Sequence, residues 1–164
     1  MQHIIDIAQS VLEEYAGKDI FETAENAGTK VWYRQLGGLK GFYVCENSVR
    51  YIVINEKLDR MMKRVVCAHE LGHDMLHREL AEVGIRENTL FLSSNKTERE
   101  ANLFAACVLI SDEALLDELA YNDDIEAAAY SLGVPTELVC LKLELLNYKG
   151  YRFNLSETKS DFLK

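Results

Sequence analysis

Apolar side chains recur at helical spacing from the first residues: Ile4, Ile5, Ala8, Val11, Leu12 and Tyr15 share one stripe, and Gly17 follows as a stop signal. An opening amphipathic helix is therefore expected, with a second short helical stretch over about residues 20–27. The period then shortens. Val31-Trp32-Tyr33, Phe42 to Cys45 and Tyr51 to Ile54 are β-prone runs, Gly37, Gly38 and Gly41 punctuate them, and Glu46-Asn47-Ser48 reads as a hairpin turn. Three short antiparallel strands over about residues 30–55 are expected. So small a sheet cannot stand without a helix against one face.

From Asp59 to about Leu80 the helical period returns, with Met62, Val65, Val66, His69, Gly72, His73, Leu76 and Leu80 on one stripe. This helix carries histidines on the face it buries. Residues 86–96 are irregular around Leu90-Phe91-Leu92, and another helix is expected from about Thr97 to Ile110. Two more follow, Ile125 to Leu132 closed by Gly133, and Thr136 to Leu146 opened by Pro135. The pattern fits one α+β domain over residues 1–153, mostly helical around its small sheet, with residues 154–164 as a loose tail.

Composition narrows the classes. At 164 residues, 48% hydrophobic and 27% charged, with a single proline, the chain is globular rather than disordered. Its 18 Lys+Arg against 27 Asp+Glu give a net charge of −9, which disfavours a polyanion binder and suits a basic protein partner. No direct nucleic-acid binding is expected. No apolar run approaches the roughly 18 to 20 residues that cross a bilayer, and the opening residues lack a signal-like basic and apolar pair of regions. A cytoplasmic, membrane-free protein is expected. Cys45, Cys67, Cys107 and Cys140 are widely spaced with no C-x-x-C pair, so they read as buried reduced thiols rather than a disulfide frame or a cysteine metal site.

The chemistry lies in His69-Glu70-Leu71-Gly72-His73, an H-E-x-x-H motif in a helical segment. Histidines at i and i+4 project from one face and can converge on one Zn²⁺, while Glu70, a step round the helix, can reach a metal-bound water as general base. A third protein ligand is needed. His77 lies eight residues beyond His69, about 12 Å along a straight helix, so the three histidines cannot share one ion; it reads as a packing or supporting histidine. In Thr97-Glu98-Arg99-Glu100-Ala101-Asn102, Glu98 and Glu100 compete for the place. Glu98 is favoured because Asn102, one turn on, could orient a zinc-bound imidazole. Glu100 would instead close a T-x-x-E capping box with Thr97.

Together, His69-Glu-Leu-Gly-His73-x-x-Leu76-His77 and, some 20 residues later, Glu98-x-Glu-Ala-Asn102-x-Phe-Ala-Ala106 resemble the ImmA/IrrE family of zinc metallopeptidases, a branch of the gluzincins. The resemblance covers most of the chain. It implies a minimal zincin-like fold, zinc held by His69, His73 and Glu98, and Glu70 as the residue that activates water. It also implies a function: site-specific cleavage of a helix-turn-helix transcriptional repressor of a mobile element or prophage. One departure is visible, Leu109-Ile110-Ser111-Asp112 standing where such proteins usually carry a Leu-Leu-Met-Pro-like helix end.

Two other readings compete. A helix-turn-helix pattern spans Ala128 to Val139, but its second helix offers Glu137 and Glu144 against Lys142, poor equipment for a phosphate-lined groove. The alternative to catalysis is a metal-bearing regulator that sequesters a repressor or antitoxin-like partner. The basic cluster Arg60, Lys63 and Arg64 reads as a solvated helix face.

Overall fold

The computed structural model describes residues 1–83, 95–121 and 124–153. The element order is α1 (Gln2–Tyr15), α2 (Ile20–Asn26), β1 (Thr29–Arg34), β2 (Gly41–Glu46), β3 (Val49–Asn55), α3 (Arg60–Val83), α4 (Asn95–Leu109), α5 (Asp112–Tyr121), α6 (Ile125–Leu132) and α7 (Thr136–Tyr148). The opening stripe buries Ile4, Ile5, Ala8 and Val11, as an amphipathic helix should. Asp19 caps α2, accepting from the N–H groups of Phe21 and Glu22 at 3.0 Å each.

The sheet is mixed and not the purely antiparallel one that the sequence suggested. Its order is β1-β3-β2: β3 runs antiparallel to β2 and parallel to β1. The β2–β3 hairpin forms as expected, with Glu46 opposite Val49 around a two-residue turn in which Asn47 and Ser48 both take positive φ. Two reversing connections make three strands alternate in direction, so the strand seated beside β1 decides the sense of that pair. β3 carries the most apolar run, with Ile52 and Ile54 fully buried, and burial on both flanks puts it in the middle. The parallel pair follows.

Helix α3 packs on β2 and β3, and α4 packs on α3, α1 and α7. The core runs between these layers: Ile52 and Ile54 from the sheet, Val65, Ala68 and Leu71 from α3, Phe104, Ala105 and Ala106 from α4, and Leu138, Leu141 and Leu145 from α7. At Gly72 the backbones of α3 and α4 lie close together. A Cβ there would stand 3.1 Å from the Ala101 backbone and 3.2 Å from the Phe104 ring, so only glycine lets the two helices approach this far without strain.

The helices differ from the expected ones in two further places. Helix α5 was not legible as a separate element. Pro135 stands at the N-cap of α7 rather than inside its first turn. The helix-turn-helix-like pair is α6 and α7, with Gly133 left-handed between them, but α7 buries eight residues including Lys142, which pairs with Asp112 at 2.6 Å. Most of α7 is thus taken up in packing. Thiols are free as expected; Cys67 and Cys140 are buried, whereas Cys45 and Cys107 are only half-buried. Most of the expected irregular stretch, and the expected tail of residues 154–164, lie outside the described residues. No helix among the described residues is long and apolar enough to cross a membrane.

Candidate metal centre

The helical period of α3 puts His69 and His73 one turn apart on the side facing α4, and the Gly72–Ala101 contact brings the first turns of α4 beneath them. Their Nε2 atoms are 3.1 Å apart. Glu98 reaches up from α4, with Oε2 at 3.5 Å from His69 Nε2 and Oε1 at 3.4 Å from His73 Nε2. Among the described residues, His69, His73 and Glu98 form the one His/Cys/Asp/Glu group whose donor atoms could share a metal ion. Two imidazole nitrogens and one carboxylate suit Zn²⁺, and donors each about 2.0–2.2 Å from a tetrahedral ion stand roughly 3.3 Å from one another. The donor triangle fits that size.

The surroundings tune these groups. Burial lowers the affinity of His69 for a proton, but its bond to Glu98 and the charges of Glu70 and Glu98 outweigh burial and raise its pKa. The hydrogen bonds from His69 and His73 hold the Glu98 carboxyl well below its usual range, against an opposing effect of burial. Glu70 is 8% exposed, and burial pushes its pKa up despite the neighbouring histidines and a backbone hydrogen bond from Tyr43 of β2. So the motif glutamate is pinned where the helix meets the edge strand of the sheet. Gly41 permits this closeness, since a Cβ there would stand 2.4 Å from the Val66 side chain.

Supporting residues divide between the two histidines. Asn102 Oδ1 lies 2.8 Å from His69 Nδ1, the partnership its spacing from Glu98 suggested. His77 lies beside His73, Nδ1 to Nδ1 at 3.3 Å, and its Nε2 is 3.0 Å from Glu100 Oε2. Glu100 therefore turns toward His77 and not toward the donor triangle. The capping-box expectation for Thr97 and Glu100 does not hold either, because α4 already begins at Asn95. Sequence reasoning missed the Glu100–His77 contact and the bond from Tyr43, both of which depend on elements far apart in the chain. The stacking of His69, His73 and His77 at four-residue steps was the available signal for the first.

The IrrE N-terminal-like domain model of the peptidase M78 family matches residues 24–144. The chain belongs to that family. It is 34% identical over 143 residues to the "Uncharacterized immunity region protein 2" of Bacillus phage phi105, covering 85% of this chain and 90% of that protein. It is 29% identical over 140 residues to the "Metallopeptidase ImmA" of Bacillus subtilis (strain 168), covering 82% and 80% respectively. The peptidase M78 match spans every element that contributes to the donor triangle and its supports. A metallopeptidase family and a His/His/Glu group of metal-binding shape agree with each other.

Proposed function

We propose that the protein is a cytoplasmic zinc-dependent endopeptidase that cuts a basic helix-turn-helix repressor of a prophage or mobile element at one site. The observation that carries this reading is the donor triangle of His69, His73 and Glu98 with a buried Glu70 beside it. His69, His73 and Glu98 would hold the ion, which when bound supplies Lewis acidity and a water of lowered pKa. Glu70, its carboxyl raised by burial, takes a proton from the attacking water and returns it to the leaving amine. Strand β2, the edge of the sheet that packs on α3, offers its backbone to an extended substrate segment.

The substrate class is supported by the relatives, one named for an immunity region and the other ImmA, and by the net charge of −9, which attracts a basic partner and repels DNA. The test is to incubate the zinc-loaded protein and its Glu70→Gln variant with a helix-turn-helix repressor from the same genetic element and with casein. The expected result is one cut in the repressor, intact casein, and a rate about 10²- to 10⁴-fold lower for the variant, the usual size of a general-base contribution. Repressor inactivation by Glu70→Gln would establish sequestration in place of cleavage. General digestion of casein would sink the repressor-specific reading.

A further inference from the structure

We infer that His77 and Glu100 are a positioning pair that fixes which ring nitrogen His73 presents to the metal; this rests on the ligand set proposed above. The reasoning is a chain of donors and acceptors. An ionised carboxylate only accepts, so at 3.0 Å the bond between Glu100 Oε2 and His77 Nε2 has the imidazole donating. A neutral imidazole has one N–H, which leaves His77 Nδ1 as an acceptor. At 3.3 Å from it, His73 Nδ1 must donate. With an ion bound, His73 Nε2 is then left with its lone pair to coordinate, and it is this atom that stands 3.4 Å from Glu98 Oε1 and 3.1 Å from His69 Nε2.

The opposite tautomer of His73 would point an N–H into the site and block coordination. His69 reaches the same state by a shorter route, donating from Nδ1 to the Asn102 amide oxygen at 2.8 Å. The two motif histidines are thus oriented by different devices, an amide for the first and a histidine–carboxylate pair for the second. The backbone of α3 leaves helical geometry at His77 itself, φ −132° and ψ 22°, so the helix changes course at the residue that bridges to α4. Among the described residues, Glu100 also has Lys96 near it at 3.8 Å, whose side chain is largely exposed.

The experiment measures Zn²⁺ affinity by competition with a chromogenic chelator, and the visible spectrum of the Co²⁺-loaded protein, for the parent and for His77→Ala, Glu100→Ala, the double variant, His77→Asn and His69→Ala. His77→Ala and Glu100→Ala should each weaken Zn²⁺ binding by about 10- to 100-fold, the usual cost of removing such a support. The double variant should be no weaker than His77→Ala, since Glu100 acts only through His77. In His77→Asn the amide oxygen stands about where His77 Nδ1 stood, so most of the affinity and the parent Co²⁺ spectrum should return, and Glu100→Ala in that background should have no effect. Because His77→Asn tests rescue, a fold defect in His77→Ala cannot imitate the result. Parent-like Zn²⁺ affinity in both single alanine variants, or no recovery in His77→Asn, overturns the inference. His69→Ala separates the two levels: stoichiometric zinc in that variant overturns the ligand reading and this inference with it, whereas its loss beside parent-like His77→Ala and Glu100→Ala overturns only the positioning pair.

Discussion

Helix α3 carries two buried polar clusters, and they are satisfied in opposite ways. Asp74, 0% exposed, accepts from the Thr29 hydroxyl, from Arg50 Nη1 at 2.7 Å and from Arg78 Nε at 3.2 Å, while Arg50 also donates to the Ala27 carbonyl. Donors meet acceptors there, and the cluster locks α3 to β1 and β3. Around His69 and His73, by contrast, two imidazole nitrogens and a carboxylate converge on one another, three electron-pair donors that only a proton or a metal cation can reconcile. Buried polar groups are normally paired. A cluster complete within the chain holds the fold, and one that is complete only with a cation marks a place where something binds.

Substitutions can break that comparison. Glu98→Ala should abolish stoichiometric zinc, read by metal analysis after gel filtration, while Glu100→Ala still binds it more weakly; retained zinc in Glu98→Ala would contradict the assignment. On the other cluster, Asp74→Ala strips three donors of their shared acceptor, and breaking a buried pair of this kind costs about 3–5 kcal/mol. Urea unfolding of the metal-free protein should show that loss, and should show less for Glu98→Ala.

Gly72→Ala tests the helix contact on which the donor triangle depends. The gain in helix propensity, about 1 kcal/mol, opposes an overpacking cost of about 1–3 kcal/mol. A net loss of about 1 kcal/mol is expected, with weaker zinc binding because α4 is pushed from α3.

Smallest is the effect of pH. The raised His69 pKa means that the metal-free site keeps a proton at higher pH than an ordinary histidine, and zinc must displace it. Glu98, held ionised by the histidines, releases none in that range. Zinc affinity should therefore be level above the His69 pKa and fall by up to about tenfold per pH unit below it. Calorimetry in two buffers of different ionisation enthalpy would reveal the released proton, and a pH-independent affinity would contradict the raised value.

The chemistry-bearing helix was legible because its information is local. A 3.6-residue apolar period with histidines four apart places both imidazoles on one buried face whatever surrounds them, and Asn47-Ser48 closes the hairpin by turn chemistry alone. Asn102 could be placed with Glu98 for the same reason, one turn of one helix. What could not be read is what crosses between elements. Glu98 and Glu100 sit in the same first turns of α4, and only the rotation of α4 against α3, set at the Gly72–Ala101 contact, sends one to the donor triangle and the other to His77. The burial of Lys142 on α7, tied to Asp112, likewise depends on the elements packed round that helix.

The sequence by itself determined the motif helix, the pairing of β2 with β3, the acidic balance and the set of residues from which a metal site could be made. Tertiary structure decided that β1 runs parallel to β3, that Asp74 anchors while its neighbour His73 faces Glu98, and that Glu98 rather than Glu100 completes the triangle. The physical reason is range. Periodicity and turn chemistry act over a few residues, whereas strand order, helix rotation and the meeting of groups some 25 residues or more apart depend on how whole faces pack.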